Sequence, residues 1–223
     1  MNLLALFGSS LVLGFSGAMP PGSLLSLTVS QAMARGFWAG PLLITGHALL
    51  ELLMVVGLGL GLSALLRRKG VAGGIGLLGG AFLLSMGYGL LRDAPHAGLA
   101  LTGSGAMVGV GRLIFLGALT SLVNPYWVMW WAFAGVTYVT EAGKHGLPGL
   151  AAFFTGHVLA DYLWYSLVSG AIAAGRQVMP VWLYRGLLGG CGVFLLALAV
   201  YFLRFGLRTL RGTAPAPSLG QAE

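Results

Sequence analysis

Charged side chains are scarce in this sequence. Asp, Glu, Lys and Arg make up 8% of 223 residues, against about 25% in a soluble domain. So little charge cannot cover a water-facing surface, which excludes an ordinary soluble domain and makes lipid the solvent. Acids are the rarest, five against twelve Lys and Arg, so any acid inside an apolar stretch needs its own explanation. Cysteine is confined to Cys191, which excludes an intrachain disulfide and a CxxC redox pair. The net charge of +7 forms no contiguous basic stripe. Arg35, Arg67, Arg68, Lys69, Arg92, Arg112, Arg176 and Arg208 are scattered at the ends of apolar runs, where such side chains snorkel to headgroups. That pattern argues against a nucleic-acid partner. The apolar run from Leu3 to Phe15 lacks the basic n-region of a signal peptide, and it is read as a first span that is kept.

What is present is apolar residue and glycine. Hydrophobic residues make up 57% of the chain, mean hydropathy is +0.90, and there are 38 glycines. Runs of about 20 apolar residues span a bilayer as helices. The pattern predicts an all-α polytopic membrane protein with six transmembrane helices over 3–34, 37–66, 71–92, 112–139, 147–173 and 180–208. Residues 93–111 read as a Gly/Ala-rich connector, and 209–223 as a disordered tail with little to bury. Gly57-xxx-Gly61, Gly76-xxx-Gly80 and Gly186-xxx-Gly190 place small residues on one helix face for close packing. Trp38, Tyr88, Trp182 and Tyr184 suit interface anchors.

The spans repeat. Residues 45–51 read T-G-H-A-L-L-E and residues 155–161 read T-G-H-V-L-A-D, an offset of 155 − 45 = 110. The same offset relates Gly36 to Gly146 and Leu77–Gly80 to Leu187–Gly190, and an offset of 104 relates Pro21 to Pro125. Two three-span repeats follow, 1–92 and 112–208. With an odd number of spans in each, the second half enters the membrane from the opposite side, giving a 3+3 inverted repeat of the kind found in secondary transporters. Seven basic residues fall on the side of the N-terminus and five on the other. The positive-inside rule then places both termini in the cytoplasm.

Two spans carry breaks at matched positions. Span one contains Ser16-Gly17-Ala18-Met19-Pro20-Pro21-Gly22 and span four contains Ser121-Leu122-Val123-Asn124-Pro125. Proline lacks an N–H and clashes with the carbonyl four residues back, so the carbonyls of Ser16, Gly17 and Ser121 are expected to lose their helical partners. Such backbone must face protein or a wet cavity, and a half-helix N-terminus suits an anionic group. Ser16, Gly17, Pro20, Pro21, Gly22, Ser121, Asn124, Pro125 and Trp127 are the expected substrate-binding residues. Ordinary proline kinks are the plain alternative for either break alone.

His47 and Glu51 share one helix face, as do His157 and Asp161. An intramembrane carboxylate costs about 2.5–3.5 kcal/mol on insertion scales, and histidine changes charge near neutral pH. These four residues are the expected proton-coupling set. Two other uses stay open: hydrogen bonds that lock helix packing, and a divalent transition-metal site of two imidazoles and two carboxylates.

Several segments resemble the lysine exporter (LysE/RhtB) family of amino-acid exporters. Pro20-Pro21-Gly22-Ser23 is similar to its Pro-Gly-Pro signature, with Ser23 a departure. Arg35-Gly36-Phe37-Trp38-Ala39-Gly40 resembles its basic-Gly-x-x-x-Gly entry to span two, followed by Gly46 and Glu51. Gly79–Tyr88 resembles the end of its first half, and Thr120–Pro125 its Asn-Pro motif. The resemblance implies a transporter, not an enzyme. Specifically, it implies a gradient-driven exporter or antiporter in the cell inner (plasma) membrane that moves amino acids or related metabolites. Membrane lipid and a small solute are then the partners, no cofactor is required, and a homodimer is an assembly such a short chain allows. His47 and His157 are not features of the pattern, so a lysine substrate is not implied. A divalent metal exporter or an intramembrane metalloenzyme built on the paired His and carboxylate residues is the alternative function. A structural assembly subunit is a third.

Overall fold

A computed structural model describes residues 2–66, 68–96, 109–175 and 180–212. Residues 97–108 of the predicted connector, Arg67, residues 176–179 and the tail beyond 212 lie outside these residues. All regular structure among the described residues is helical.

Helix α1 (Leu3–Ala18) starts at Asn2, whose side chain accepts from the Ala5 N–H at 2.8 Å. It stops where Pro20 and Pro21 remove two backbone donors, and α2 (Ser23–Arg35) leaves at 79° to it. Serine and threonine are poor interior helix formers, yet α2 buries Ser26 and Thr28. Their hydroxyls donate back to the carbonyls of Gly22 and Leu24 at 3.1 and 2.9 Å. Gly36, at φ 81°, turns the chain into α3 (Ala39–Gly59). The predicted second span runs to residue 66, but α3 stops at Gly59. Gly61 adopts φ 96° there, and only a short α4 (Leu62–Leu66) follows. Helix α5 (Lys69–Asp93) ends the first half.

The second half begins with α6 (Val110–Leu122), broken at Val123–Asn124. Asn124 caps α7 (Pro125–Trp130) by accepting from the Tyr126 N–H at 3.0 Å, with Pro125 at the first helical position. A π-helical turn, Trp131–Gly135, leads into α8 (Val136–Gly143). The Ser121 carbonyl, expected to be orphaned, instead accepts from the Asn124 N–H at 3.1 Å in a tightened last turn. Helices α9 (Gly146–Gly175) and α10 (Val181–Leu210) complete the chain.

Among the described residues, four helices are long and apolar enough to cross a membrane, and the bent α1–α2 pair makes a fifth candidate. The region predicted as the fourth span is instead divided among α6, α7, the π turn and α8. Large apolar side chains such as Leu4, Val12, Leu53, Leu78 and Leu167 are exposed on outer faces, as expected of a chain solvated by lipid. Trp38, Tyr88 and Trp182 are exposed, but Tyr184 is buried. It packs with Val29, Ile172 and Leu188 and is not an anchor.

Three helix pairings dominate: α1 with α9, α3 with α6, and α5 with α10. Glycine sets their closeness. A Cβ on Gly46 of α3 would strike the Ile114 carbonyl of α6, and one on Gly117 of α6 would strike the Leu43 carbonyl of α3. Likewise, a Cβ on Gly156 of α9 would lie 2.5 Å from the Phe7 carbonyl oxygen of α1, and one on Gly14 2.9 Å from that of His157. Gly76 and Gly80 pack against α10 as expected of a small-xxx-small face, whereas Gly186 and Gly190 meet nothing within 4 Å. Gly57 packs on Leu62 and Gly61 makes the turn.

Candidate functional site

The i, i+4 spacing puts His47 and Glu51 on one face of α3, and His157 and Asp161 on one face of α9. The two faces look at each other, tied nearby by the Thr45 and Tyr162 hydroxyls at 2.9 Å. All four side chains are buried. Glu51 Oε1 is the focus. His47 Nε2 lies 3.0 Å from it and His157 Nε2 3.2 Å. The indole N–H groups of Trp127 and Trp131 each donate to it at 3.3 Å. Asp161 Oδ2 stands 3.8 Å from His47 Nε2 and 3.9 Å from His157 Nε2.

Backbone choices make this cluster. The Asn124–Pro125 break carries Trp127 and Trp131 inward. The ring of Trp131 occupies space that a Cβ on Gly135 would fill, so the π turn and Gly135 together let a fully buried indole reach Glu51. Trp130 stacks on His157 with centroids 4.9 Å apart, and Phe153 covers its other side at 5.9 Å.

The two histidines are held differently. The Ser121 hydroxyl donates to the Gly117 carbonyl at 2.8 Å, leaving its oxygen to accept from His47 Nδ1 at 2.6 Å. The offset of 104 that matches the two breaks puts Gly17 where the other half has Ser121. Among the described residues, His157 Nδ1 correspondingly has no hydrogen-bond partner, and neither has Glu51 Oε2 or Asp161 Oδ2. Ser121→Ala should therefore strand the His47 Nδ1–H as well. A loss of about 1–3 kcal/mol is expected, to be read by thermal unfolding of purified protein in detergent.

A partly enclosed cavity of about 90 Å³ opens onto the cluster, well above the roughly 10–15 Å³ that a single water requires. His47, Glu51, His157 and Asp161 line it. So do Gly17, Pro20, Gly22, Ser121, Asn124 and Trp127 from the two breaks. Three residues expected at the binding site are elsewhere. Ser16 is exposed and donates to the Leu13 carbonyl at 2.6 Å, Pro21 stays outside the cavity wall, and Pro125 is buried against Gly79 of α5. Sequence reasoning gave no role to Trp131, Tyr165 or Phe194, all in the wall. Tyr165 lies four residues beyond Asp161, and extending the helix face by one turn would have found it.

The family model described as LysE type translocator matches residues 15–206. This chain belongs to the LysE type translocator family. As a LysE type translocator it is a multi-pass membrane transport protein, not an enzyme. It is 32% identical over 209 residues to "Chemotactic transduction protein ChpE" of Pseudomonas aeruginosa, covering 91% of this chain and 99% of that protein. It is 24% identical over 208 residues to "Putative amino acid efflux protein YcgF" of Bacillus subtilis, covering 93% and 99%. No solved structure matches this translocator. The expected family is thus confirmed over most of the chain.

Proposed function

We propose that this translocator is a secondary exporter of amino acids or related small metabolites, driven by inward proton movement. One observation carries the proposal: an acid–imidazole pair from each half of the chain opens onto a single cavity bordered by both helix breaks. Glu51, Asp161, His47 and His157 are the proton-coupling residues in this proposal, since each can take up or give up a proton. A cluster that gains a proton from one side of the membrane and loses it to the other ties that movement to the solute's.

The cavity suits an amphipathic solute. The N-terminus of α2, at Gly22, has no side-chain cap, so its N–H groups are available to a carboxylate. Asn124 already caps α7. An ammonium group has the carboxylates and the faces of Trp127 and Trp130 to meet, and Phe194 and Leu198 add an apolar wall. The substrate-binding set is therefore Gly17, Pro20, Gly22, Ser121, Asn124 and Trp127. The naming of the Bacillus subtilis relative as an amino acid efflux protein supports this substrate class.

The pairing of α1 with α9 and of α6 with α3, first helix of each half on the middle helix of the other, supports a 3+3 inverted repeat of 1–92 and 112–208. We place the protein in the inner membrane with both termini cytoplasmic.

The test is export from proteoliposomes loaded with a panel of labelled amino acids. An imposed pH gradient, alkaline inside, should drive efflux of at least one of them, and a protonophore should abolish it. Amine analogues lacking the carboxylate should not be carried. Efflux indifferent to the gradient and to the protonophore would discard proton coupling.

A further inference from the structure

We propose that the His47–Glu51–His157–Asp161 cluster binds one divalent transition-metal ion of the zinc or cobalt class. The proposal goes beyond amino-acid export, because it adds a second ligand chemistry to the cavity. It stands on the spacing of the donor atoms. Four tetrahedral ligands about 2.0–2.1 Å from a zinc ion lie roughly 3.3 Å from one another. The four imidazole–carboxylate separations here are 3.0, 3.2, 3.8 and 3.9 Å. They bracket that value, and His47, Glu51 and Asp161 have all their ligand atoms within 4.8 Å of one another; His157 falls outside that set and must move toward His47 to become the fourth ligand.

The hydrogen bonding points the same way. The Ser121 hydroxyl gives its proton to the Gly117 carbonyl, so His47 donates from Nδ1 to Ser121. That fixes the tautomer: when neutral, His47 turns an Nε2 lone pair toward Glu51 Oε1, and a metal ion satisfies both atoms. Metal-bound histidines are commonly oriented in this way, by a bond from the other ring nitrogen. Asp161 Oδ2 is buried, unpartnered and directed at both imidazoles. Glu51 Oε2 is also buried and unpartnered. Two imidazoles and two carboxylates suit zinc and cobalt better than magnesium or calcium, which favour all-oxygen sets. Occupancy would hold α3 and α9 together through the groups assigned to proton exchange, so the ion should inhibit export.

The test titrates Co²⁺ into tag-free purified protein in detergent, followed by visible absorption. The expected result is one ion per chain with the strong bands of a tetrahedral site, displaced by Zn²⁺ and unaffected by Mg²⁺. Ser121→Ala should weaken binding by about 10–100-fold, and Asp161→Asn or His157→Gln by more. His96→Gln and His145→Gln, which replace the two other histidines of the chain, should leave the titration unchanged. No saturable binding, weak octahedral bands alone, or a signal lost with His96 or His145 and kept in Asp161→Asn would overturn the proposal. These readings on the wild-type protein do not depend on any variant folding. They also do not depend on transport, so failed metal binding leaves proton-coupled export standing, and failed export leaves the metal site standing.

Discussion

Glu51→Gln should reduce pH-driven export by on the order of 100-fold, within the range that one positioned proton-transfer group contributes. The substitution keeps volume and an oxygen for the indole N–H groups of Trp127 and Trp131, so the fold should tolerate it. What disappears is the negative charge at 3.0 and 3.2 Å from the two imidazoles, and with it the group that exchanges a proton. Solute counterflow needs no net proton movement and should survive. The two assays together assign the residue. Loss of gradient-driven flux with counterflow retained marks coupling, loss of both marks solute binding, and undiminished gradient-driven flux would remove Glu51 from the mechanism. Glu51→Ala is a worse probe, because it leaves two buried imidazoles and two indole donors facing a void. Breaking a buried ionic cluster in this way costs about 3–5 kcal/mol.

The largest effect on stability is expected from Gly46→Val. A side chain there meets the Ile114 main-chain carbonyl of α6, not the end of a flexible side chain. Backbone cannot step aside, so the α3–α6 contact must open. Overpacking costs about 1–3 kcal/mol where side chains can shift, and more is expected here. The yield of monodisperse protein in mild detergent should fall sharply, and the midpoint of thermal unfolding should drop in whatever survives. Gly186→Ala is the control. It faces open space on α10, and losing a helical glycine there should be neutral or stabilising by up to about 1 kcal/mol. Equal behaviour of the two variants would contradict the close approach of α3 and α6.

Much of this was legible because a few residue types are rare. Five acids in 223 residues made Glu51 and Asp161 conspicuous inside apolar runs, and the i, i+4 spacing put a histidine beside each. The T-G-H segments marked the two helices, α3 and α9, that carry the buried histidines and acids. Proline announced the breaks near residues 20 and 124. Convergence was not legible: no local pattern says that His157 of α9 will sit 3.2 Å from Glu51 of α3. Trp131 was hidden because its role depends on a π turn and on Gly135, neither of which has a sequence signature in a glycine-rich chain. The end of the second span was misjudged for a related reason. Apolar periodicity continues through Leu66, and only the positive φ of Gly61 interrupts it. The Gly186-xxx-Gly190 motif shows the converse, since its spacing is right and it meets no neighbour among the described residues. Ser16 sits beside the break in sequence but is exposed on α1, because each residue along a helix is rotated by about 100° from the one before it.

The helix contacts made through glycine have a mechanical consequence. Where Gly14 and Gly156 bring α1 against α9, and Gly46 and Gly117 bring α3 against α6, main chain comes close to main chain, with small side chains such as Ser10 and Ala160 at the α1–α9 contact. Such close contacts are held by dispersion forces and by single latches such as the Ser10 hydroxyl on the Phe153 carbonyl at 2.9 Å. The joints between α1 and α9 and between α3 and α6 are therefore close-fitted seams, intolerant of added bulk.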